Sequence, residues 1–194
     1  MDRKISFGQY RAIDLSILTA LMVFSELLIF VAVKKWFGSQ LYSVSPQGGL
    51  IALVMMRWGA WAAVPAFIGG ALYSVLYGSG LNHFLIYAIG NLLSLGMLLM
   101  LSKCGKEKVR ENVTLSVVFG LGVQVLMELG RGLVSLLLGY TISQAFGFIA
   151  SDALSIIFTL VIIWIVRQID GLFEDQKHYL LRLQEQEKEG GEQP

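Results

Sequence analysis

The stretch SPQGGLIALVMMRWGAWAAVPAFIGGALYSVLYG, residues 45–78, decides the fold. Its composition is that of a membrane segment, yet Arg57, Trp58 and Gly59 interrupt it. Ser45 and Pro46 read as the cap and first position of a helix. The apolar piece Gly48–Met56 that follows is only about half a span at roughly 1.5 Å per residue. It must be extended or tilted to cross, turning near Gly59 into a full span, Ala60–Tyr77. Outward from this block, four more apolar stretches reach the roughly 20 residues a spanning helix needs: Ala12–Val33, Asn82–Ser102, Val113–Leu138 and Ser143–Val166. The sequence thus predicts an all-α membrane protein of six transmembrane helices, the second being the short one. Residues 1–11 form an N-terminal segment, 12–167 the six-helix membrane domain and 168–194 a tail.

Composition agrees. Of 194 residues, 55% are hydrophobic and 15% charged, against roughly 25% charged in soluble domains. The formal net charge of +1 provides no excess to hold a nucleic-acid backbone. The single cysteine, Cys104, excludes an internal disulfide and a clustered thiolate metal site. The first apolar stretch is too long for a signal-peptide core and reads as a retained helix. Arg3, Lys4, Arg11, Arg57, Lys103, Lys106, Lys108, Arg110, Arg167, Lys177, Arg182 and Lys188 fall on one side of the six-helix division, against only Lys34 and Lys35 on the other. The positive-inside rule places both termini in the cytoplasm, which requires an even number of passages.

Ionisable groups within a bilayer are costly and mark function. Counting along each span puts Glu26 roughly 21 Å up the first helix and Asp152 roughly 13 Å down the sixth. His83, Tyr87 and Asn91 fall in the outer half of the fourth, Gln124 near mid-depth of the fifth with Glu128 and Arg131 beyond it, and Gln144 near the outer end of the sixth. Polar groups confined to one half suit a pocket open to one side, not a conduit. Glu128 and Arg131, spaced i, i+3, are expected to pair on one helix face, either as part of the pocket or as mutual neutralisation only. Between the first two helices, KKWFGSQLYSVSPQGG is a candidate lid. Its Trp36, Phe37 and Tyr42 are placed to cover a ligand, or to anchor a helix end at the headgroups.

Small residues at four-residue spacing mark close helix approach. Ala62, Ala66, Gly70, Ser74 and Gly78 form one stripe, read as internal packing or a partner face. Ala12, Ser16 and Ala20 form another, toward the cytoplasm, which can meet a second membrane subunit. The tail from Ile169 reads as an amphipathic helix; its seven acidic residues against three basic ones disfavour anionic lipid and favour docking on a partner or on the chain's own loops. No nucleophile–base, metal-ligand or phosphate-loop pattern occurs, so neither enzyme activity nor a cofactor or metal is expected.

The six-helix layout with both ends inside, the Ala12, Ser16, Ala20 stripe, the block LIALVMMRWGAWAAVPAFIGGALYSVLYG and the long loop before it resemble the substrate-binding S components of energy-coupling factor (ECF) vitamin transporters. Ser16 stands where that family favours alanine, and Phe24 follows in register. The resemblance implies a multi-pass protein of the bacterial plasma membrane that captures a vitamin-like micronutrient from outside. It implies docking through the first-helix stripe onto a transmembrane coupling subunit carrying two ATPases, and toppling to deliver the solute. It also implies a pocket lined by the last three helices and closed by the first loop, matching Asn91, Glu128, Arg131, Asp152 and the lid. Two other classes fit the same chain: a non-transporting scaffold related to rod-shape-determining proteins, and an autonomous secondary transporter, which normally carries internal repeats that this sequence lacks.

Overall fold

The computed structural model describes residues 6–37, 44–78, 80–150 and 152–191. These residues form helices α1 (Phe7–Phe37), α2 (Gln47–Trp58), α3 (Ala63–Tyr77), α4 (Leu81–Gly90), α5 (Leu98–Cys104), α6 (Lys106–Glu111), α7 (Val113–Leu137), α8 (Ile142–Ala150), α9 (Ser155–Arg167) and α10 (Gln176–Gly191). Among the described residues there is no strand. Five helical stretches, Phe7–Trp36, Gln47–Tyr77, Leu81–Cys104, Val113–Leu137 and Ile142–Arg167, are long and apolar enough to cross a bilayer, making the chain an all-α membrane protein.

The stretch Gln47–Tyr77 is a hairpin. Gly59 takes φ +60°, a conformation that favours glycine, and a 3₁₀ turn over Gly59–Ala62 leads into α3. Gln47 Nε2 then donates to Gly69 O across 3.1 Å, although a straight helix would hold residues so spaced roughly 33 Å apart. All twelve residues of α2 are buried because it packs against α1, α7 and α9 at once. A helix apolar on every side is the sequence mark of that central position.

Two other predicted spans are interrupted. The fourth passes from α4 into a 3₁₀ segment, Asn91–Met97, before α5. The sixth, expected as one helix over Ser143–Val166, breaks between α8 and α9, where Ser155 N bonds to Asp152 O at 2.9 Å. Asp152 competes with regular helix through its side chain, which is committed to the interior, as described below.

Glycines set the closest helix approaches. A Cβ on Gly70 would meet Tyr87 O at 2.2 Å, and one on Gly130 would meet Gly90 O at 2.0 Å, so α3, α4 and α7 touch backbone to backbone. The Ala62 to Gly78 stripe is therefore internal packing. Ala12, Ser16 and Ala20 instead remain exposed on α1, beside exposed Ile13, Ile17, Leu21 and Phe24.

Beneath the midsection lies an apolar core of Met22, Ile51, Met55, Met56, Phe119, Val123, Met127 and Ile163. It ends at a second polar cluster. Arg57 forms a bidentate pair with Asp14, 2.8 Å and 2.9 Å, and donates to Gly171 O and Leu172 O, while Trp58 Nε1 also donates to Asp14. The tail docks here on the chain's own loop, through Lys106–Asp175 at 2.6 Å and Arg110–Glu174, with Phe173 buried near Phe119. The predicted tail helix starts later than its apolar pattern suggests. Residues 168–175 are turns, Gly171 has φ +71°, and Asp175 caps α10 by accepting from Lys177 N and His178 N.

Candidate functional site

Apart from the Asp14–Arg57 cluster, most of the strongly polar buried residues of the membrane domain gather where the helices are irregular. From the segment before α2, Ser45 Oγ donates to Glu26 Oε2 of α1 at 2.7 Å, and Ser45 N donates to Ser155 Oγ at 2.7 Å. Ser155 Oγ donates to Asp152 Oδ1, whose other oxygen pairs with Arg131 Nη1 at 2.7 Å. Arg131 Nε donates to Asn91 Oδ1 at 2.8 Å. The Asn91 amide passes on to Gln47 Oε1 at 3.0 Å and Ala66 O at 3.2 Å. On the inward side, Gln124 Nε2 donates to Glu128 Oε1 at 2.7 Å and Thr159 Oγ1 to Gln124 Oε1 at 3.1 Å. Gly48 allows this approach, since a Cβ there would lie 1.9 Å from Gln124 Oε1.

Each charge in such a place needs a partner. Arg131 is held at Asp152 and also lies against two rings, its Cζ 4.9 Å from the Tyr87 centroid and 5.3 Å from that of Tyr73. Four buried side-chain atoms nonetheless have no hydrogen-bond partner among the described residues: Thr19 Oγ1, and, at the site, Arg131 Nη2, Glu26 Oε1 and the Tyr77 hydroxyl. The last three belong to one neighbourhood: Arg131 and Tyr77 both lie against Tyr73, and Phe30, one turn from Glu26, packs on Tyr77 at 5.2 Å.

Over the network stands an aromatic cluster. Tyr73 stacks obliquely on Tyr77 at 4.4 Å and on Tyr87 at 4.6 Å. Phe148 meets His83, Tyr87 and Tyr140 edge-on at 5.6–6.0 Å. Tyr77, His83, Tyr140 and Phe148 are half-buried, so the cluster runs from the buried polar network toward the surface of the domain. Arranged this way, the groups can stack a flat solute and hydrogen-bond its edge.

Comparison with known protein families, characterised proteins and solved structures finds no match. The site's meaning therefore rests on its own geometry.

Of the residues predicted from sequence, Asn91, Gln124, Glu128, Arg131 and Asp152 join the network, and His83 and Tyr87 the aromatic cluster. Glu128 and Arg131 do not pair, because Arg131 is drawn to Asp152 and Asn91 while Glu128 accepts from Gln124. Gln144 is exposed and accepts from Thr141 N and Oγ1 at 2.9 Å and 3.0 Å, a capping interaction at the start of α8 instead of a site contact. Trp36 is 74% exposed at the end of α1 and covers nothing in the network. Tyr42 lies outside the described residues. Sequence reading missed Gln47, Ser45, Ser155 and Thr159, whose side chains carry no charge to signal them. It also missed Tyr73 and Tyr77, although their i, i+4 spacing on α3 was visible.

Proposed function

We propose that this protein is the substrate-binding membrane subunit of an ATP-driven ECF-type importer, capturing a vitamin or vitamin-like micronutrient from outside the cell. One observation carries the reading: costly polar groups from five separate segments converge in one part of the domain, leaving Arg131 Nη2 and Glu26 Oε1 unpartnered beside a partly buried aromatic cluster. A purely structural network would satisfy its own members. The reversal at Gly59 supports six passages, and the basic residues gathered at the Arg57 end support cytoplasmic termini. The exposed Ala12, Ser16 and Ala20 face supports docking on a transmembrane coupling subunit, whose two ATPases supply the chemistry this chain does not perform. The helix interruptions at Asn91 and beside Asp152 also occur in secondary transporters, but those are built on repeats that this sequence lacks.

A thermal-shift screen of the detergent-purified protein over water-soluble vitamins tests the proposal. One compound is expected to raise the melting temperature, with Arg131→Ala and Glu128→Ala weakening its binding strongly. The closed Arg131–Asp152 and Gln124–Glu128 contacts favour a second reading, a non-transporting scaffold, which prevails when no compound stabilises the protein.

A further inference from the structure

We propose that the solute is an organic cation, seated between the free Glu26 oxygen and the ring pair Tyr73–Tyr77; this rests on the solute-binding reading above. Among the described residues the carboxyl groups of the network outnumber its cations. Glu26, Glu128 and Asp152 face a single cation, Arg131, and the 2.7 Å pair with Asp152 already engages it. Glu128 receives an amide from Gln124. Glu26 is fully buried, accepts from Ser45 on one oxygen and has no partner on the other. The next cation along its helix, Lys34, is exposed two turns further on, its Nζ 5.6 Å from the Phe30 centroid, and it makes no bond to Glu26 among the described residues. A positive charge brought beside this free oxygen would hold the group ionised and offset the cost of its burial.

The surrounding rings suit the same occupant. Tyr77 faces Tyr73 at 4.4 Å and receives Phe30, one turn beyond Glu26, edge-on at 5.2 Å. Ring faces attract ammonium and heteroaromatic cations, more so when water is excluded. The cluster already shows this preference, with Arg131 lying over Tyr73 and Tyr87. An inorganic ion fits poorly, since no three His, Cys, Asp or Glu side chains converge as ligands among the described residues. An anionic solute would find only Arg131 Nη2 to receive it, amid three carboxyl groups. The same Nη2 suits an acceptor atom elsewhere on the cation.

The test is equilibrium binding and thermal shift on the full-length protein in detergent, with thiamine and pyridoxamine as cationic probes, riboflavin as a neutral one, and biotin and pantothenate as anions. A cationic probe is expected to bind. Glu26→Gln should weaken it about tenfold to a hundredfold, the value of a hydrogen bond to a charged group, and Tyr77→Leu should also weaken it. Binding of only riboflavin or an anion would overturn the cation inference and leave the solute-binding reading standing. No binding by any probe would overturn both. If Glu26→Gln fails to fold, the wild-type panel still decides by charge class.

Discussion

Arg131 Nη1 lies 2.7 Å from Asp152 Oδ2, with both side chains wholly buried and the two residues 21 positions apart in the chain. The pair ties α7 to the break between α8 and α9, and through Asn91 it reaches α4. Removing one partner leaves the other as an uncompensated buried charge. Arg131→Met or Asp152→Leu alone should each cost about 3–5 kcal/mol in unfolding free energy, while the double substitution should cost less than either. Denaturant unfolding in detergent micelles measures the cycle; simple additivity would show that the pair does not hold the helices.

Gly130 admits no side chain. A Cβ would fall 2.0 Å from Gly90 O and 2.8 Å from Leu93 Cβ, and backbone cannot rotate away as a side-chain tip can. Gly130→Ala should destabilise by about 1–3 kcal/mol and displace Arg131 from Asn91. Gly147→Ala on α8, where a Cβ meets nothing within 4 Å, is the control and should leave the melting temperature unchanged or slightly raised.

The docking of the tail should depend on acid. Burial alone would raise the Asp175 carboxyl, but its bond to Lys106, the Lys106 charge and the His178 and Lys177 amides outweigh it and hold the group below the usual carboxylate value. A lowered folded value stabilises the docked tail fully above the unfolded carboxylate pKa, about 3.9, and the stabilisation disappears as pH falls through the folded value. The protection factors of the Lys177 and His178 amides, exchange rates divided by the intrinsic rate at each pH, should fall over that acid range and stay level between pH 6 and 8. Lys106→Ala should shift the onset upward.

The exposed α1 stripe separates binding from delivery. Ala20→Trp should leave solute binding and melting temperature intact, since Ala20 is exposed on α1, yet abolish uptake by an assembled importer. Unchanged uptake in cells expressing the variant would remove this face as the coupling surface.

The level of each polar group along its own span was countable from sequence, but its partner was not. Counting from the span ends placed Asn91, Gln124, Glu128, Arg131 and Asp152 at levels that do meet. The same counting favoured a Glu128–Arg131 pair on spacing alone, and Arg131 has instead turned to a carboxylate on another helix. Gln144 carried the right chemistry at a plausible depth and serves as a cap. Asp14, inside the first apolar stretch, passed unnoticed although Arg57 and Trp58 both converge on it. Nothing within one helix distinguishes a carboxylate that faces a distant arginine from one that faces lipid.

By itself the sequence determined quantities that run along the bilayer normal: which stretches can cross, where Gly59 must turn the chain, which end is basic, and in which half the polar groups lie. Each follows from hydropathy and a fixed rise of roughly 1.5 Å per residue, which a linear count can sum. Only the tertiary structure decided rotation and partnership. The backbone contacts at Gly70, Gly90 and Gly130 fix how each helix is turned, and the interruptions at Asn91–Met97 and beside Asp152 reset the turn midway. At roughly 3.6 residues per turn, one residue of irregularity swings every later side chain by about 100°, so the meeting of Arg131, Asp152 and Asn91 exists only once the helices are packed.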